Sequence, residues 1–152
     1  MDYMNMIATV ACALLFLSSV IAQPEVGGLY QTADWKSEKH VPVIELQNKP
    51  ISGKTIEVKV TVGKEIPHPN TAEHHIEWID VYFLPDGESF PYELGRSEFS
   101  AHGASAQGAN ASGVYSQPSV ALYFTTTKPG TIYASSYCNI HGLWSSSLHI
   151  AF

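Results

Sequence analysis

Thr55-Ile56-Glu57-Val58-Lys59-Val60-Thr61-Val62 alternates without a break, with Ile56 and three valines on one parity and charges and threonines on the other. A period of two marks a strand buried on one face, because successive side chains leave a pleated backbone on opposite sides. Further β-rich runs flank it, at 40–46 before and at 75–83, 119–127, 131–137 and 146–152 after. Turn chemistry separates them at 50–53, Pro85-Asp86-Gly87, Lys128-Pro129-Gly130 and His141-Gly142. No segment after residue 22 carries a helical period. The pattern predicts an all-β domain, an antiparallel β-sandwich of about seven strands. Residues 100–118, rich in Ala, Gly and Ser, read as a long surface loop.

The 152 residues are 45% hydrophobic and 14% charged, which fits one globular domain whose core needs no disulfide staples. Eight basic residues against fourteen acidic ones leave a net charge of −6, so a nucleic-acid binder with a basic face is excluded. Two cysteines exclude both a disulfide-rich scaffold and a four-cysteine zinc or iron–sulfur site. Seven histidines are the one excess. Residues 6–22 are almost wholly apolar, and the run ends in Val20-Ile21-Ala22 before the abrupt change at Gln23-Pro24. Slightly short for a membrane span, it predicts a secretory signal peptide over 1–22, although Asp2 and the lack of Lys or Arg before it are atypical. The expectation is a secreted or extracytoplasmic domain over 23–152, with no membrane attachment after cleavage. Cys12 leaves with the signal, Cys138 becomes the sole cysteine, and every histidine stays.

On the strand map the histidines gather at strand ends and loops. His40 opens a strand, His68 sits between prolines in Ile66-Pro67-His68-Pro69, and His74-His75 lead into the next strand. Cys138 and His141 share the last connection with the spacing C-x-x-H. Loops at one rim of a sandwich bring together residues distant in sequence. His102 and His149 read as packed or surface residues, and of His74 and His75 strand alternation lets at most one reach a common point. One unpaired cysteine with several loop histidines points to a mononuclear metal site. Imidazoles with a thiolate suit iron, copper or zinc and not calcium or magnesium. A blue-copper site would normally add a methionine after His141, where Gly142-Leu143-Trp144-Ser145 stands. A closed zinc site would leave a fourth histidine idle. A cupredoxin-like electron-transfer protein and a sandwich module with incidental histidines remain the alternatives at this level.

Three segments go further: Glu38-Lys39-His40-Val41-Pro42, His68-Pro69-Asn70-Thr71-Ala72-Glu73-His74-His75-Ile76 and Cys138-Asn139-Ile140-His141-Gly142-Leu143-Trp144. Together, in this order, they resemble the signature segments of superoxide reductases, and most closely the one-iron form called neelaredoxin. The likeness continues through Tyr82-Phe83-Leu84-Pro85 and Phe99-Ser100-Ala101-His102-Gly103, from about Asp34 to Trp144. It implies an immunoglobulin-like sandwich holding one iron ion per chain. The implied equatorial ligands are His40, His68, His74 and His141, with Cys138 axial and His75 outside the ligand set. Glu38 matches a carboxylate that fills the sixth position in the oxidised resting state, and Lys39 matches the cation beside the open position. The implied reaction is one-electron reduction of superoxide to hydrogen peroxide, with a rubredoxin-like or other external donor restoring ferrous iron. The resemblance also implies a homo-oligomer.

Overall fold

The computed structural model describes residues 25–152, so the predicted signal peptide and Cys12 lie outside the described residues. A single 3-10 turn, Val26–Leu29, precedes seven strands. They are β1 (Pro42–Leu46), β2 (Thr55–Val62), β3 (Ile76–Pro85), β4 (Tyr92–Glu98), β5 (Ser119–Thr125), β6 (Gly130–Cys138) and β7 (Gly142–Ile150). One sheet has the order β1-β2-β5 and the other β4-β3-β6-β7, with every pairing antiparallel. Sequential strands that switch sheets in this way make an immunoglobulin-like sandwich.

The alternation that predicted β2 is what builds the core. Ile56, Val58 and Val60 are fully buried, and they pack against Ile79, Val81, Phe83, Ile132 and Ala134 of the opposite sheet. The same period runs down β6, where Gly130, Ile132, Ala134, Ser136 and Cys138 face inward, so the cysteine ends the row on the core side. β4 was not legible in the sequence. It is an edge strand, with the mostly exposed or half-buried sequence Tyr-Glu-Leu-Gly-Arg-Ser-Glu, and an edge strand that covers little core needs no apolar period. β7 starts at Gly142 rather than at 146, because the C-x-x-H segment is itself the hairpin turn: Cys138 pairs with Gly142, and Gly142 adopts φ +77°.

Strand register places four chain segments at one rim. Pro42 faces Val62, Thr61 faces Ser119, and Ile76 faces Cys138. The start of β1, the two long connections between sheets (63–75 and 99–118) and the β6–β7 turn therefore meet at the same end, while the third, 126–129, lies at the other. Gly63 opens the first of these connections at φ +78°, and a Cβ there would lie 2.5 Å from the backbone nitrogen of His68. Backbone strain alone makes Gly63→Ala destabilising by about 1–2 kcal/mol, and the clash adds to it by pushing the His68 segment outward. Urea unfolding of the variant should reveal the loss, with metal affinity falling alongside.

Candidate metal centre

Period, turn and bulge decide which side chains enter the rim. Cys138 follows the inward parity of β6 and has no solvent exposure. A register shift between Ile76 and Trp78 interrupts β3. Inward parity from Val81 and Ile79 would otherwise pass to Glu77 and His75. The bulge hands it to Ile76 instead, which is 2% exposed, and so to His74. His74 accordingly turns toward Cys138, while His75 turns away and stacks on His102 at 3.7 Å.

One ligand atom from each of His40, His68, His74 and Cys138 lies within 4.8 Å of the others, a group able to hold a metal ion. His141 joins them from the turn: its Nδ1 is 3.0 Å from His40 Nε2 and 3.5 Å from Cys138 Sγ. The four imidazoles stand at the corners of a near-square. Going round His40, His68, His74 and His141, the centroid separations are 4.8, 4.6, 4.8 and 4.6 Å, and the His40–His74 diagonal is 6.1 Å. Neighbouring rings meet edge to face, so none blocks the centre.

Partners outside the square set which nitrogen His40 and His68 turn inward. His68 Nδ1 donates to the Pro69 carbonyl at 2.6 Å, which leaves an unprotonated Nε2, buried and without a partner. His74 Nε2 is likewise buried and unpartnered. His40 Nδ1 donates to Glu38 Oε1 at 2.6 Å, freeing its Nε2 for the centre, and the ring is backed by Trp144, nearly parallel at 5.0 Å. Inward lone pairs on buried rings with no hydrogen-bond donor to meet them are what a cation would satisfy. Nitrogen and thiol donors together fit iron, copper or zinc.

Burial pushes the pKa of His68 down to about 4, with smaller repulsion from His40, His74 and Lys39. His40 and His74 are lowered for the same first reason, although Glu38 opposes it at His40. The hydrogen bond from His40 in turn lowers the Glu38 carboxylate below its usual range. His40, His68 and His74 are thus held neutral and ready to donate lone pairs. On the solvent side a hollow is lined by Glu38, Lys39, His40, Ile66, His141 and Trp144. Lys39 stands on its rim. The Glu38 carboxylate lies on the outer nitrogen of His40 and is not among the converging donors, because a side chain two residues before a histidine readily reaches that ring and its backbone N–H.

Three amide side chains, invisible as functional residues in the sequence, clasp the loop that bears His68 and His74. Asn139 donates to the Glu73 carbonyl and accepts from the His75 N–H, both at 2.9 Å, bracketing His74 from the Cys138 turn. Asn110 accepts from Ala72 N–H and donates to Glu73 at 3.0 and 2.9 Å. Asn70 donates to the Ser116 carbonyl at 2.7 Å. The 100–118 segment expected as a surface loop is therefore also a brace. A larger groove on the outer face of the four-stranded sheet, with Tyr30, Tyr82 and Tyr133, has no metal-binding side chain in its lining.

A β-sandwich with one buried thiol and four imidazoles at a single rim defines a class of small mononuclear metalloprotein. Residues 32–147 match the Desulfoferrodoxin family, and the chain belongs to that family. The superoxide reductase of Pyrococcus furiosus is 56% identical over 118 residues, 78% of this chain and 93% of that protein. Neelaredoxin of Megalodesulfovibrio gigas is 51% identical over 123 residues, 81% of this chain and 95% of that one. The solved structure of the reduced superoxide reductase (neelaredoxin) of Archaeoglobus fulgidus superposes with a TM-score of 0.77 at 57% identity, covering 82% of this chain and 99% of that chain.

The lowered histidine pKa values carry a sign. As pH falls below the ordinary value of 6.5, the unfolded chain takes up protons that the folded rings refuse down to about 4 for His68. Folding stability is therefore lost progressively across that window. Metal-free protein should melt at lower temperature as pH drops from 7 to 4.5, and His68→Gln should flatten the profile.

Proposed function

We propose that this chain reduces superoxide to hydrogen peroxide at one iron ion held by His40, His68, His74 and His141 with Cys138 on the core side. The near-square of imidazoles over a buried thiol carries the reading. Blue-copper chemistry would use two histidines with the cysteine, whereas four face this thiol. The superoxide reductases among its relatives support the same conclusion.

Iron, when bound, supplies one electron to superoxide and takes one back from an external donor; with two protons the product is hydrogen peroxide. Neutral imidazoles keep the negative charge of the site to a single thiolate, so an anion can still approach. Cys138, shut off from water, would supply a thiolate that feeds electron density to a bound iron. Lys39 draws superoxide to the hollow over a range of about 10 Å at moderate salt, which outweighs the distributed net charge. In the arrangement described here Glu38 holds and orients His40. The sixth-ligand role that the resemblance implies requires its carboxylate to leave that ring. With the signal peptide, we place the domain outside the cytoplasm, so its electron donor would act there too.

The deciding experiment counts peroxide against superoxide consumed, with a chemical reductant present. One peroxide per superoxide is expected; one per two, with oxygen evolved, means dismutation and rejects the proposal. Loaded protein should contain one iron per chain and, when oxidised, show a thiolate-to-iron band that Cys138→Ser abolishes. Stoichiometric copper in place of iron would reject the assignment. Lys39→Ala should slow the encounter with superoxide and weaken its dependence on ionic strength, as pulse radiolysis at varied salt would measure.

A further inference from the structure

In sequence His102 reads as a packed or surface residue, and its surroundings ask more of it. It is 8% exposed, and both ring nitrogens face oxygen: Nδ1 lies 2.7 Å from Asn70 Oδ1 and Nε2 lies 2.6 Å from the Phe99 carbonyl. The Asn70 amide cannot be turned to relieve this, because its Nδ2 donates to the Ser116 carbonyl at 2.7 Å and a flip would set oxygen against oxygen. A neutral imidazole donates through one nitrogen only, so its other lone pair would confront an acceptor at hydrogen-bond distance. Donation from both nitrogens satisfies both contacts.

We propose that His102 is a positioning residue of the metal centre, a doubly protonated ring that pins the ligand loop to the end of β4. Its anchor is the Phe99 carbonyl, and Phe99 belongs to the buried core. From there it grips the loop at two places. Asn70 is two residues beyond His68, and His75, stacked on His102 with an interplanar angle of 13°, adjoins His74. Neither ligand can shift without disturbing the clasp. The charge has support and opposition nearby. Glu77, Glu98 and Arg96 line the adjoining hollow, and of these Glu77 favours the charged ring. Burial is the largest influence and, with a smaller push from His75, lowers the ring's pKa below the ordinary 6.5. Against that stands the geometry: each nitrogen lies at hydrogen-bond distance from an oxygen, and a neutral ring can donate to only one of them.

The inference rests on the metal centre proposed above, yet its tests do not require superoxide turnover. With zinc(II) as a diamagnetic probe, nitrogen-15 NMR of the histidine rings at pH 7 should find both His102 nitrogens protonated. His102→Phe keeps a ring for stacking and removes both donors. Loss of such an outer partner should weaken zinc(II) and iron(II) binding by about 10–100-fold while the far-ultraviolet dichroism stays that of the parent. Asn70→Ala, at a half-buried position, should act in the same direction and decides the matter if His102→Phe does not fold. An unprotonated His102 ring nitrogen at pH 7, or parental metal affinity in a folded variant, overturns the proposal. If the parent binds neither metal, the centre itself is refuted.

Discussion

Donor lone pairs turned toward one another at one rim, over a sulfur shut off from solvent, are the constraint on which this molecule is organised. His68 Nε2 and His74 Nε2 have no hydrogen-bond partner, while His40 Nε2 and His141 Nδ1 stand 3.0 Å apart, close enough to share one proton, above a buried sulfur. Each unsatisfied buried acceptor costs about 1–3 kcal/mol. A rim built this way is a poor resting arrangement for a protein alone and a good one around a cation. Metal binding and the order of these loops are consequently one equilibrium.

The sandwich meets that constraint by division of labour. Strands supply direction, since the parity of β6 drives Cys138 inward and the core holds it there. Loops supply convergence, since the two long inter-sheet connections and the last hairpin turn end at the same rim. Side-chain amides then supply stiffness. Asn70, Asn110 and Asn139 each bond to backbone that strand pairing leaves free, so a segment without regular structure is held nearly as firmly as a strand. Ser136 extends the same logic to the entry of β1, donating to the His40 carbonyl at 3.3 Å.

Legibility in the sequence followed the physics of each feature. β2 could be read because one buried face imposes a period of two, and the C-x-x-H turn because Gly142 follows it. The pairing of Cys138 with loop histidines was visible as chemistry, and the three-segment resemblance named the family before any geometry was known. β4 was hidden because an edge strand with little core contact carries no pattern. The amide clasps were hidden for a different reason: an asparagine in a loop looks the same whether it faces water or bridges two segments, and only the fold brings Asn139 to Glu73. Glu38 shows the remaining limit. Its proximity to His40 was evident from spacing, but whether its carboxylate faces the centre or the outer nitrogen is a matter of rotamer.

The β3 bulge bears on how this chain can change by descent. His74 rather than His75 faces the sulfur because one extra residue sits between Ile76 and Trp78. Point substitutions there alter a side chain and leave the parity standing. Deletion of one residue would exchange the two imidazoles between the centre and His102, because a strand slipped by one turns every side chain over. Lineages can therefore vary the identity of residue 77 far more freely than its presence. Insertions and deletions between His74 and Trp78 should survive selection only when they preserve that count or occur in pairs.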